Sequence, residues 1–188
     1  MGIISSPSTP ATFADLLRYP GKAELIQGRI VPLMATGHRP NIVAGRIFRS
    51  LAGYADETGR GLAYTDNMGF AVQMLPSGRQ SFSPDAAYYS GLIPANPMRF
   101  IEGPPDLAVE VRSEGDYSPS AEAEIVAKRA DYFAAGTQVV WDVDPVARVV
   151  HCYLASSPEQ SLRFAVGQEA HAEPAVPGWR VNVDWLMG

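Results

Sequence analysis

The chain has a single cysteine, Cys152, which excludes an intrachain disulfide framework and a cysteine-cluster zinc site. No apolar run is long enough to span a bilayer, and the N-terminus lacks the charged-then-apolar pattern of a leader peptide. A reducing cytoplasm, away from membrane, is the expected setting. Positive charge is also in short supply. Fifteen Lys and Arg stand against twenty Asp and Glu, a formal net charge of −5. Such a chain has no general attraction for nucleic acid, so any phosphate contact has to come from a local patch. There is no Gly-x-x-x-x-Gly-Lys loop and no Gly-x-Ser-x-Gly elbow, which argues against a nucleotide-hydrolysing motor and an α/β-hydrolase. Internal repeats are missing too.

What is present fits one globular unit. A length of 188 residues suits a single domain, and 46% hydrophobic with 19% charged residues supports an ordinary core. Sixteen prolines and seventeen glycines are spread along the chain, predicting many turns rather than one linker.

Residues 1–11 are small, polar and proline-bearing, and read as a loose lead. Thr12 followed by Asp15 predicts a short capped helix that ends before Pro20. Ala23–Ile26 and Arg29–Leu33 flank Gln27-Gly28, predicting a β-hairpin. Val43, Ile47, Leu51 and Tyr54 lie on one helical face, so a helix is predicted from Pro40 to about Asp56. Arg39, Arg46, Arg49 and Arg60 form the main positive cluster around it. Strands are predicted over Leu62–Thr65, Gly69–Leu75 and Ser81–Tyr89, with a turn at Pro76–Gly78 and a proline-rich loop over 90–104. A strand over Leu107–Arg112 comes next. Ser118-Pro119 and Gly136 bracket a second long helix. Strands over Gln138–Val143 and Arg148–Leu154 follow, joined by a turn at Asp144-Pro145, then one or two short strands before Trp185. The expected class is α/β (α+β): a mixed sheet flanked by helices.

The stretch from Pro84 to Lys128 concentrates the chemistry. Glu110 lies inside the interior-type run Leu107-Ala-Val-Glu-Val, where a carboxylate is costly unless something positive meets it. An ion pair and a metal ion both satisfy that demand; a divalent metal held by Asp85 and Glu110, with Lys128 nearby, is the sharper reading. Asp106 shares the Glu110 face but lies roughly 13 Å along it, at about 3.3 Å per residue. One hard cation takes oxygens at about 2.0–2.6 Å. The partner of Glu110 therefore has to come from another strand, and Asp85 is the nearest upstream acid.

Several segments occur together in order: Ala23-Glu24-Leu-Ile-Gln-Gly28, Gly37-His38, Ser83-Pro-Asp85, Pro105-Asp106-Leu-Ala-Val-Glu110-Val-Arg-Ser113, Lys128 through Tyr132 to Gly136, and Val140-Trp141-Asp-Val-Asp-Pro145. As an ordered set they resemble the Uma restriction-endonuclease family of the PD-(D/E)XK nuclease superfamily. The resemblance runs from about residue 12 to the end. It implies a restriction-endonuclease-like fold, a Mg²⁺- or Mn²⁺-dependent endonuclease acting on DNA, Asp85 and Glu110 as the metal-binding acids, and Lys128 as the lysine. The superfamily's usual lysine slot, two residues after the second acid, holds Arg112 here. An arginine cannot act as a base and would at most steady phosphate charge.

Each candidate has a plainer reading beside this one. Asp85 also suits a turn cap, Glu110 a structural ion pair, and Lys128 a solvated side chain, since Arg129 lies nearer the centre of that helix's apolar arc. Glu24 is either a third acid of the site or an exposed strand residue. His38 either meets phosphate or caps its helix. Arg39 and Arg46 either bind DNA or sit on a solvated face. Ser113 either supports the surroundings of Glu110 or starts a turn. Asp142 and Asp144 suit the Pro145 turn, and His151 a solvent face. The competing functions are the endonuclease, a nuclease-fold module with weak or lost cleavage that binds nucleic acid or protein, and a small-molecule phosphodiesterase. A homodimer would suit cutting of both strands.

Overall fold

Capping decides where the elements begin. The computed structural model describes residues 9–188, so most of the expected loose lead, residues 1–8, lies outside the described residues. Ala11 is tied down, donating its N–H to the Gly28 carbonyl at 2.8 Å. Thr12 and Asp15 exchange side-chain-to-backbone hydrogen bonds at the start of α1 (Phe13–Leu16), a capping box. Strands β1 (Ala23–Ile26) and β2 (Arg29–Pro32) form the expected hairpin. Gln27 and Gly28 both have positive φ, 51° and 67°, as a two-residue type I′ turn requires.

Helix α2 (His38–Thr58) starts two residues earlier than expected, with Gly37 as its cap. Pro40 sits inside the first turn, where its missing N–H leaves no helical bond unmade. The helix ends at Gly59, which is left-handed at φ 65°.

The middle of the chain is more broken than its sequence suggests. After β3 (Leu62–Thr65), the expected Gly69–Leu75 strand shrinks to β4 (Phe70–Ala71). The expected Ser81–Tyr89 strand splits into β5 (Ser81–Phe82) and β6 (Ala86–Tyr89), which belong to different sheets. Pro84 stands at the break, where it has no N–H to offer a ladder. β7 (Ile101–Glu102) and β8 (Leu107–Val111) follow, then a 3₁₀ turn over Glu114–Tyr117. Helix α3 (Pro119–Ala135) runs from its Ser118 cap to left-handed Gly136. The remaining elements are β9 (Val139–Asp144), β10 (Val149–Leu154), β11 (Ser157–Ala165), β12 (Glu169–His171), β13 (Arg180–Asn182) and α4 (Val183–Met187). The tail thus holds three strands, one of them nine residues long, rather than one or two short ones.

Six strands form the main sheet in the order β11-β10-β9-β8-β6-β3. Only β8 and β9 run parallel in it, and α3 supplies their crossover. Alternation gives each strand two faces. Tyr88, Val109, Trp141 and Val143 pack with Val43, Ile47 and Leu51 of α2, and Trp141 meets Trp179 with ring centroids 5.0 Å apart. Ala87, Ala108 and Val140 face the other way, onto Tyr132 of α3 and the aromatics Phe70 and Phe82 of the small sheet β5-β4-β7. The expected α+β class, a mixed sheet with helices against it, is what the chain adopts. No described helix is long and apolar enough to cross a membrane.

Cys152 lies in the first of these cores, fully buried. Burial pushes its thiol up to about 11. A thiol reagent at pH 8 is expected to leave it unlabelled until denaturant is added, because the thiolate is the reactive form; rapid labelling of the native protein would contradict this packing.

Candidate active site

The site grows out of the pairing between β6 and β8. Ala86 pairs with Val109 in antiparallel register, so one step further Asp85 stands opposite Glu110 on the same face. Two hydrogen bonds extend the ladder there. The Asp85 N–H donates to the Val109 carbonyl at 3.0 Å, and Asp85 Oδ2 accepts the Val111 N–H at 2.8 Å. The Ser83-Pro84 break frees Asp85 to turn its carboxylate onto the neighbouring strand. Asp106 plays no part in this, since its carboxylate accepts from Ser90 and Gln138.

Helix α3 covers that face and brings two more groups. Lys128 Nζ lies 2.8 Å from Glu110 Oε1, and the Tyr132 hydroxyl donates to the same oxygen at 2.6 Å. Lys128 is also 3.4 Å from Glu24 Oε1. Glu24 is itself buried and held firmly. Its Oε1 accepts the Ser83 N–H at 3.0 Å, and its Oε2 is paired with the Arg79 guanidinium. Arg79 turns its Nε to Asp131 of α3 at 2.9 Å. Glu24 is therefore not an exposed strand residue. It anchors Lys128.

The charges set the protonation states. Burial raises the Glu110 carboxyl; Lys128 opposes this, while Asp85 and Glu24 add to the rise. Burial likewise raises Asp85, against the Val111 N–H and Lys22. Burial alone would raise Glu24 as well, but Lys128 and Arg79 reverse it and hold this carboxyl below its usual range. For Lys128, burial disfavours the ammonium, yet Glu110 and Glu24 more than compensate and keep it above the ordinary lysine value. It stays protonated at neutral pH, which suits a fixed positive charge and not a base.

The other sequence candidates fall in different places. Arg112 makes a two-pronged pair with Asp142, at 2.7 and 2.6 Å, and reaches Glu122 at 2.8 Å. Asp142 is thus a cross-strand partner rather than part of the Pro145 turn. Asp144 does serve that turn, accepting the Val146 and Ala147 N–H groups at 2.8 Å. His38 and Arg39 are exposed in the first turn of α2. The Thr36 hydroxyl lies 2.9 Å from the Ser113 hydroxyl, so this helix start stands beside the end of β8. Arg46 instead donates to the Leu186 carbonyl at 3.1 Å, on the α4 side. His151 is half-buried, with Nδ1 3.4 Å from the Ser161 hydroxyl.

Among the described residues no three of His, Cys, Asp or Glu converge as a metal-binding group. The available donors are the two carboxylates of Asp85 and Glu110. No described side chain or backbone N–H donates to Glu110 Oε2. Two hard oxygen ligands with the remaining positions left to water suit Mg²⁺ or Mn²⁺, and do not suit a soft metal or an all-protein cage. A cleft of about 320 Å³ is lined by Glu110, Lys128, Glu24, Arg112 and Arg79 among others.

The sequence matches Uma2, a family described as putative restriction endonuclease, over residues 12–184. The chain belongs to the Uma2 family. A crystal structure of a putative nuclease belonging to DUF820 from Anabaena variabilis ATCC 29413 is similar to this Uma2 chain. It superposes with a TM-score of 0.73 at 18% identity, covering 95% of this chain and 98% of that one, a likeness of fold. No curated protein matches the sequence significantly.

Four residues of this Uma2 site escape a reading of the sequence alone: Lys22, Arg79, Asp131 and Tyr132's hydroxyl role. Arg79 follows a Pro-Ser-Gly turn and reads as solvent-facing. In the structure it is the burial of Glu24 itself that calls for this cation.

Proposed function

We propose that this Uma2 protein is a metal-dependent endonuclease that hydrolyses DNA phosphodiester bonds. The observation that carries the reading is the pairing of Asp85 with Glu110 on one face, with the Lys128 ammonium 2.8 Å from Glu110. Asp85 and Glu110 would hold Mg²⁺ or Mn²⁺, which when bound lowers the pKa of a water and polarises a phosphoryl oxygen. The chain's own residues do the rest. Lys128 presents a permanent positive charge where negative charge develops on the phosphorus centre. Glu24 and the Tyr132 ring, 5.9 Å from the ammonium, fix the lysine's position. Tyr132 donates to Glu110 Oε1, and Glu110 lines the cleft. His38 and Arg39, exposed beside the end of β8, would meet the nucleic-acid backbone. One such site cuts one strand, so cutting both calls for a symmetric pair of chains.

A second reading, a nuclease-fold module that binds without cutting, is favoured by one observation. Arg112 is consumed by Asp142 and Glu122 and offers little to phosphate. One assay separates the two. Supercoiled plasmid is expected to be nicked or linearised with Mg²⁺ or Mn²⁺ and left intact in EDTA. Intact plasmid in every metal, with no heat of metal binding by calorimetry, would favour the module.

A further inference from the structure

Each of the two acids has a lysine of its own, Lys128 beside Glu110 and Lys22 beside Asp85. Lys22 stands two residues before Glu24, just ahead of β1. Its backbone is fixed, with the carbonyl accepting the Leu33 N–H at 3.0 Å. Its Nζ lies 3.6 Å from Asp85 Oδ1 and is paired closely with Asp66, on the turn after β3. The side chain is only 14% exposed. Placing a lysine there costs desolvation and side-chain entropy, and a solvated surface lysine needs neither.

The surroundings give that cost a purpose. Lys22 lines a second cavity of about 330 Å³, with Tyr19, Gly21, Asn67, Gly69 and buried Ser83. Lys128 and Glu110 line the first cleft and Lys22 does not. Ser83 joins the two, because its N–H is bound to Glu24 and its other side faces the second cavity. Glu110 and Lys128 therefore line one cavity, and Lys22, the lysine beside Asp85, lines the other. An ammonium has three donors. Asp66 accepts one of those on Lys22, and Asp85 at 3.6 Å is an ion-pair partner beyond hydrogen-bond reach, so donors remain for the cavity.

We propose that Lys22 is a positioning residue that holds a backbone phosphate next to the one being cut, on the Asp85 side of the site. This rests on the endonuclease reading and adds a subsite to it. Asp66 acts as the lysine's tether: it fixes the ammonium beside Asp85 and weakens its pull on phosphate.

The test uses the full chain and a fluorescein-labelled DNA duplex, with Ca²⁺ in place of Mg²⁺ to hold back cutting. Anisotropy titrations across a salt series give the slope of log K against log salt. One lost phosphate contact lowers that slope by about 0.9. Lys22→Ala is expected to lose one such contact and to bind roughly 3- to 10-fold more weakly, with Lys22→Arg restoring the slope. Asp66→Asn is expected to bind more tightly than the parent, since it frees the ammonium. In Mg²⁺, Lys22→Ala should raise KM for the duplex more than it lowers kcat. A merely structural Lys22–Asp66 pair predicts something else: both variants melt earlier and neither changes the slope. A parent that binds and cuts while Lys22→Ala keeps the parental slope overturns this inference alone. A parent that neither binds nor cuts overturns the endonuclease reading and the inference with it.

Discussion

Glu110→Gln is expected to lose plasmid cutting and metal binding together, whereas Lys128→Met loses cutting and keeps the metal. Glutamine preserves the shape of Glu110 and can still accept from Tyr132, so the fold should hold. What disappears is the charge that faces Asp85 across the β6–β8 ladder. Replacing groups that only support metal ligands costs up to about 100-fold, and removing a ligand should exceed that. For Lys128 the loss is a positive charge at the developing oxyanion, about 10²- to 10³-fold in kcat. Methionine keeps the buried stem and leaves Glu24 with Arg79 and Ser83. Two readouts check the pair: nicking rate, and Mn²⁺ titration by calorimetry. Parental cutting by Glu110→Gln would remove this acid from the mechanism, and parental cutting by Lys128→Met would reduce the lysine to a structural counter-charge.

Arg79→Ala should give the largest loss of stability of any single change near the site. The Arg79 and Glu24 side chains are 9% and 3% exposed, so the pair is buried in a way surface pairs are not. Breaking such a pair by removing one partner leaves the other charge stranded, at about 3–5 kcal/mol. For a chain of this size that lowers Tm by roughly 6–20 °C. Asp131 loses its partner as well, and the guanidinium is stripped from its place over the Phe82 ring, 5.1 Å from the centroid. The deficit should depend on pH. In the parent, the Glu24 carboxyl is held low, so its contribution is present above the unfolded value of about 4.3 and lost as pH falls through the folded one. In the variant, burial acts with one partner fewer, so the ionised carboxyl becomes a cost at neutral pH that protonation relieves. The gap in Tm between parent and variant should therefore be wide at pH 7 and narrow near pH 4. A gap that is small at pH 7, or independent of pH, would show that Glu24 does not depend on this arginine.

The two long helices and their stops were legible because they carry strong local signals: one apolar stripe in α2, a Ser-Pro start and a Gly end in α3. The fold class followed from them and from the run of strands. Register was not legible. Nothing local says that Glu110 pairs with Asp142 across a parallel crossover, so Asp142 read as a turn residue when it is the partner of Arg112. The Ser81–Tyr89 run looked continuous because its residues suit a strand throughout, yet it serves two sheets. Lys128 shows why periodicity alone misleads. Arg129 takes the centre of the buried arc and stacks over Tyr153, 3.7 Å from the ring centroid. The flank position is what lets Lys128 reach the carboxylate on β8. Lys22 and Arg79 sit in short segments with no period to read.

The order in which these groups leave the ribosome matters as well. Glu24, Asp85 and Glu110 are all synthesised before Lys128, and β9, which closes β8 on its other side, comes later still. A chain emerging N-terminus first therefore holds all three carboxylates, with Lys22 and Arg79 beside two of them, before the Lys128 ammonium of Glu110 exists. Glu110 meets this ammonium only when the crossover helix α3 docks on β8.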